Sequence, residues 1–345
     1  MLRSIKKIFP LLIVLVSMLT VGCVDDQQHV KLRQVNIAAQ ALPNDESVAR
    51  TWYSEELGNA LGAKVVVLNY ESSTPIITAL ATGNIDIAIV GTPSAAKIIS
   101  KGLDCDVFWI HNIEGENESL VVKNSSDIRS IEDLRGRRIG VPFGSTTQYS
   151  LLLALQRADI APNEVMLFDL LPNEIIDAWN ENRIDAAFVW QPALGELLND
   201  GQILISSRQL HKQGITTADV AVVNRDFANQ NPDIVEKYVE LQAKACDLFF
   251  NDPKQAAALA APALQTSRNT ALSQMNELVW VKAQDQISDH NLGTVDKKGA
   301  LVNTLVETAR FLEQYNIIDR AASRETFENA VNPQFAEAVA NKSIR

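Results

Sequence analysis

The chain has 345 residues, 46% of them hydrophobic and 21% charged, the composition of a globular protein long enough for two domains. A net charge of -11 excludes the basic surface that a nucleic-acid binder presents to phosphate. Three cysteines with no CxxC or Cys/His grouping exclude a disulfide scaffold and a structural zinc site.

The first residues read as an export signal. Arg3, Lys6 and Lys7 precede an apolar run from Ile8 to Leu19, too short for a transmembrane helix. The run ends in Leu19-Thr20-Val21-Gly22-Cys23, which resembles the lipobox of bacterial lipoproteins. The expectation is a signal peptide over 1–22, lipid on Cys23 and a polar tether over 23–34. The mature chain is then exported, acidic and anchored to a membrane facing the periplasm. An ordinary secretory signal with an incidental cysteine is the plainer alternative. Cys105 and Cys246 remain, and they are expected to stay separate thiols.

The body alternates strands and helices. Strands are predicted at 35–39, 63–68, 85–90, 106–110 and 119–123, with helices over 47–57, 73–82 and 93–101 between them. The alternation restarts with a capped turn at 130–134. Strands follow at 138–141, 165–170 and 186–190, with helices at 146–158, 173–182 and 193–199. Such repeated βα units imply parallel-type sheets with helices on both faces. Beyond Asn224 the pattern turns helical, at 233–250, 253–259, 273–283 and 297–315.

In open α/β sheets, ligands sit beyond the carboxyl ends of strands, where helix N-termini point. Three strand-to-helix turns carry hydroxyls and no Lys or Arg: Ser72-Ser73-Thr74-Pro75, Gly91-Thr92-Pro93-Ser94 and Gly144-Ser145-Thr146-Thr147. Each offers backbone N–H groups and the positive end of a helix dipole, which suits a small monoanion such as a sulfonate or nitrate. Each also reads as a plain N-cap. His29, His111, His211 and His290 are scattered, and no GxSxG, HExxH, P-loop or EF-hand motif occurs. No catalytic residue, metal or cofactor is expected.

The segment from Val141 to Leu152, VPFGSTTQYSLL, closely resembles the periplasmic taurine-binding proteins of ABC importers. So do AWNENRIDAAFVWQP from Ala178 to Pro192, ALATGNIDIA from Ala79, ESLVVK from Glu118, and Asp219-Val220. The resemblance implies an α/β, two-lobe, periplasmic-binding-protein-like (type II) fold, with open mixed sheets, helices on both faces and a ligand cleft between the lobes. Lobe 1 would take 35–122 and 225–345, and lobe 2 would take 123–224, with crossings near Val122–Asn124 and Val222–Arg225. It further implies that a sulfonate meets Gln40, Ser72, Ser73, Thr92, Thr146 and Thr147. Glu118 and Asp219 would receive an ammonium, and Trp190 would form an apolar wall. The sequence departs from the family at Ser73, where Gly is usual, at Asn173 and at Ala221. The implied function is a taurine-binding lipoprotein serving an ABC permease and its ATPase. The alternatives are another small anion, alkanesulfonate or nitrate, and an enzyme on the same fold.

Overall fold

The computed structural model describes residues 33–342. The expected signal peptide, Cys23 and all of the tether except Arg33 and Gln34 lie outside the described residues.

The first half of the chain lays down β1 (Arg33–Ala39), α1 (Asp45–Ala49), β2 (Ala63–Asn69), α2 (Ser73–Ala81), β3 (Ile87–Gly91), α3 (Thr92–Ser100) and β4 (Cys105–Ile113). Strands β1, β2 and β3 pair in parallel. Between α1 and β2 the chain stays helical but changes pitch, through a 3-10 turn at Arg50–Trp52, a π turn at Tyr53–Gly58 and a 3-10 turn at Asn59–Leu61. The uniform helix expected over 47–57 is therefore three kinds of turn.

The second sheet follows, from β5 (Glu118–Lys123), β6 (Arg138–Val141), α4 (Thr146–Arg157), β7 (Met166–Asp169), α5 (Pro172–Asn180), β8 (Ala186–Trp190), α6 (Ala193–Leu197), β9 (Gly201–Ser206) and α7 (Ser207–Lys212). Its strand order is β7-β6-β8-β5-β9. Strand β10 (Ala218–Asn224) then returns to the first sheet, antiparallel between β3 and β4. After α8 (Arg225–Gln230), α9 (Pro232–Asn251), α10 (Pro253–Leu264) and α11 (Arg268–Glu277), β11 (Val279–Trp280) closes the first sheet, ordered β11-β4-β10-β3-β1-β2. The helix expected over 273–283 ends at Glu277, because Val279 and Trp280 pair with Ile113 and Asn112 along the β4 edge.

The passages between sheets fall at 114–117 and between Ser206 and Ala218, earlier than the expected 122–124 and 222–225. The cause is burial. Leu120, Val121 and Val122 are fully enclosed and pair on both sides with β8 and β9. Val220 to Val223 are equally enclosed between β3 and β4. Such apolar runs fill central strands, and a solvated crossing cannot hold them. Strand β9, α7 and the helices Arg324–Ala330 and Gln334–Lys342 had no clear signal in the sequence.

Each sheet has its own core. Trp109, Phe108, Tyr238 and Phe327 dominate the first. In the second, Ile139, Leu155 and Phe188 fill one face, and Trp179, Ile175 and Val189 the other. The helix Leu301–Gln314 serves both sheets. Its Leu305 and Leu312 enter the first core, while Phe311 meets the edge of the Tyr149 ring at 5.0 Å in the second. Phe311→Ala should therefore cost about 3 kcal/mol of stability, as cavity-forming aromatic deletions do. Urea unfolding of variant and parent measures this, and a loss within error would place Phe311 outside the core.

Candidate ligand-binding site

Strand β3 runs into α3 without a loop, and β6 reaches α4 through the tight turn 142–145. The starts of α2, α3 and α4 thereby gather at the carboxyl ends of strands from both sheets. A small cavity of about 20 Å³ lies there. Leu42 and Trp190 contribute apolar wall, and Trp190 packs on the Ala39, Leu42 and Ile89 cluster.

One group of lining residues consists of neutral donors. Gln40 Nε2 donates to Ser73 Oγ at 3.2 Å, and the Gly91 N–H donates to the same oxygen at 3.4 Å. Ser145 caps α4 by accepting from the Gln148 N–H at 3.2 Å. The N–H groups of Thr146 and Thr147 stand in the first turn of α4, where no intrahelical acceptor exists. Gly91 has a steric reason to be glycine: a Cβ there would lie 2.7 Å from Thr146 Cγ2. That contact joins the two sheets, so a side chain at 91 would hold them apart.

The other group is acidic. Glu114, Glu118 and Asp219 all line the cavity, and each is almost fully buried. Glu118 accepts from the Thr146 hydroxyl and, at 2.6 Å, from the Ser207 hydroxyl. Burial pushes its carboxyl up to about 7, against the two hydroxyl bonds, with Asp219 adding to the rise. Burial also raises Asp219, opposed by a hydrogen bond from Glu114 and by His111. Glu114 is pushed well above the carboxylate range by burial and then by the charges of Asp219 and Glu118. Behind them His111 Nδ1 lies 2.5 Å from Asp45 Oδ1, and Trp109 Nε1 donates to Asp45 Oδ2 at 2.7 Å. Burial works against charge on His111, but the Asp45 carboxylate outweighs it and raises the imidazole.

Of the residues expected from the sequence, Gln40, Ser73, Glu118, Thr146, Trp190 and Asp219 converge on this cavity. Ser72 instead lines a wider neighbouring cleft of about 900 Å³, with Thr74, Phe143 and Tyr315. The hydroxyls of Thr92 and Thr147 are engaged in the frame: Thr92 accepts from the Ala218 N–H at 3.4 Å, and Thr147 bonds Ser145 at 2.7 Å. The smaller cavity is the candidate site, because donors and carboxylates meet there. Glu114 and Asn117 had not been singled out. They belong to the run Glu114-Gly115-Glu116-Asn117-Glu118, whose composition is that of a solvated loop.

The NMT1/THI5 like family profile matches residues 50–256. A taurine-binding periplasmic protein from Escherichia coli strain K12 is 31% identical over 84% of this chain and 89% of its own length. The chain belongs to this family of periplasmic binding proteins. Among solved structures, the periplasmic aliphatic sulphonate binding protein SsuA from Escherichia coli superposes with a TM-score of 0.70 at 16% identity, over 87% of this chain and 97% of that one. The desulfurization enzyme DSZB shares the fold too, with a TM-score of 0.63 at 16% identity over 90% and 99% of the chains. The two-lobe α/β family fold expected from the sequence is therefore the one observed.

Glu118 carries a measurable consequence. Its carboxyl titrates at about 7 when folded, against an ordinary 4.5. Between those values the folded chain binds a proton that the unfolded chain releases, so stability falls as pH rises. The loss from this residue is about 3 kcal/mol between about pH 4.5 and about pH 7. Urea unfolding at about pH 5 and about pH 8 should show the decline, and Glu118→Gln should shrink it. An identical decline in the variant would assign the cost to other groups.

Proposed function

We propose that this chain is a lipid-anchored solute-binding protein that captures taurine, or a closely related aminosulfonate, and delivers it to the permease of an ABC importer driven by an ATPase. At the coarser level the chain is a periplasmic binding component of such an importer, for a sulfonate-type solute. The observation that carries the finer reading is the lining of the small cavity. Neutral donors and helix starts face it together with three carboxylates, and no Lys, Arg or His lines it. A sulfonate is satisfied by several N–H and O–H donors, and an ammonium by carboxylates. A ligand that is anion and cation at once satisfies both groups.

In this reading the sulfonate is held by Gln40, Ser73 and the first turn of α4 at Thr146 and Thr147, with Ser72 and Thr92 framing those groups. Glu118 and Asp219 take the ammonium, and Trp190 covers the two-carbon link. The lobes turn about 114–117 and the segment between Ser206 and Ala218. Binding is favoured over catalysis by the taurine-binding relative and by the thiols. Cys105 and Cys246 are both free and buried, and neither lines the cavity. Burial, then Asp104 and Asp106, pushes the Cys105 thiol up to about 12, and burial raises Cys246 as well. A thiol so raised is a poor nucleophile at neutral pH.

Ethanesulfonate has the sulfonate and lacks the amine. Calorimetry should find taurine bound more tightly, since an acid left without its cation must hydrate or take up a proton. Asp219→Asn removes a charge-assisted bond of about 1.5–3 kcal/mol and should weaken taurine roughly tenfold or more, with little effect on ethanesulfonate. If the unmodified protein binds both ligands equally, the reading gives way to a general alkanesulfonate binder.

The anchor is tested separately. Cys23→Ser should move the protein from the membrane fraction to the soluble periplasmic fraction. A variant that stays with membranes would refute lipidation at Cys23.

A further inference from the structure

Glu114 and Asp219 are neighbours by backbone register. Strand β10 pairs with β4, placing Asp219 opposite Asn112 and Ala218 opposite Ile113. The ladder continues one step past β4, where the Glu114 N–H donates to the Thr217 carbonyl at 2.9 Å. Both acids thus belong to the first sheet, and their proximity does not depend on the second sheet closing over them. Both side chains are buried and line the same cavity. Two buried carboxylates set side by side with no cation between them hold a proton rather than ionise together.

The surroundings fix which charges face this pair. On the β4 side, Asn112 Nδ2 donates to Glu114 Oε1 at 3.3 Å, and Asn117 Nδ2 donates to Oε2 at 2.6 Å. From β5 comes Glu118, a further negative group. Beneath the pair, His111 on β4 faces Asp219 with a favourable charge, and Asp45 on α1 opposes it. Arg208 of α7, which reaches the 114–117 loop, is committed elsewhere: it pairs with Glu116 and donates to the Glu277 carbonyl at 3.1 Å. His111 favours charge on Asp219, while Glu114 has only amides and other acids around it. The shared proton therefore resides on Glu114.

We propose that Glu114 is a third acid of the ammonium pocket, that it holds one proton against Asp219 before ligand enters, and that this proton leaves to solvent as the ligand's ammonium takes its place. The inference rests on the taurine reading above and deepens it. The exchange balances: the Glu114 O–H bond breaks, its electron pair stays on the carboxylate, and the proton passes to buffer. The ammonium enters with all its N–H bonds intact and supplies the hydrogen bonds that the lost proton had made. A primary ammonium has three such bonds, and Glu114, Glu118 and Asp219 offer three carboxylates. Ligand capture is thereby linked to proton release, and affinity rises with pH.

The test is calorimetry with taurine in buffers of different ionisation heat, which counts the protons released. Ethanesulfonate is the control ligand, and thermal unfolding confirms that each variant is folded. The full chain should release about one proton or more near pH 6, and its taurine affinity should rise with pH by about tenfold per unit for each proton released. Glu114→Gln keeps the shape and hydrogen-bonds without titrating. It should lower the count by about one and flatten the pH dependence, whereas Glu118→Gln should leave a release in place. Equal release in the parent and in Glu114→Gln overturns the proposal. So does release that persists in Glu114→Gln but vanishes in Glu118→Gln, or release on ethanesulfonate binding equal to that with taurine. Absence of taurine binding at every pH overturns the underlying reading, and this proposal with it. Taurine binding with no proton release overturns this proposal alone.

Discussion

Burying carboxylates side by side is costly, because each loses water and each repels the next. Glu114, Glu118 and Asp219 share one small cavity, and much of the surrounding frame compensates that cost. Ser207 and Thr146 commit their hydroxyls to Glu118. Asn112 and Asn117 commit amides to Glu114, and Asn44 steadies Asn112 from α1's cap position at 3.1 Å. Below these sits His111, held by Asp45, which is held in turn by Trp109. The buried side-chain polar atoms without a partner, among the described residues, are Ser150 Oγ, Gln242 Oε1 and Thr308 Oγ1, and none lines the cavity. The network is satisfied where the stakes are highest.

The sheets meet around this cavity through short-range contacts on both flanks. Thr74 donates to the Phe143 carbonyl and Ser94 to the Gly144 carbonyl, each at 3.1 Å. On the other flank Gln191 Nε2 donates to Glu277 at 3.0 Å, and Gln274 donates to Gln191 at 3.3 Å. Gly115 passes so close to the Glu277 carbonyl that a Cβ would lie 1.9 Å from it. Most of these bonds end on backbone carbonyls or neutral amides, so they add specificity of fit and little net energy.

Local periodicity made the strands and helices of the first 200 residues legible. Arg138–Val141 and Ala186–Trp190 have the expected bounds, and Ser130 with Asp133 forms the expected cap. The errors have a common physical origin. Whether β5 closes one sheet or opens the next depends on its partners, β8 and β9, and those lie 60 or more residues away. Strand β9 is half exposed and short of apolar alternation, so periodicity does not mark it. In the site, Gln40, Ser73, Thr146 and Asp219 could be carried over on motifs. Glu114 could not, because an acid in a Gly- and Asn-bearing loop has the composition of surface. It is buried only because β10 arrives beside it from a hundred residues downstream.

Glu118 opens β5, Asp219 is the second residue of β10, and Glu114 directly follows β4. All three acids therefore stand where the chain passes between sheets, close to any axis about which the sheets swing. Points near an axle travel least, so the acids keep their mutual geometry throughout a swing. Gly91 and Thr146, by contrast, approach each other from different sheets, so a swing would change their separation directly. Under the zwitterion reading proposed above, the carboxylates that would hold the ammonium are the part of the site that such a swing disturbs least.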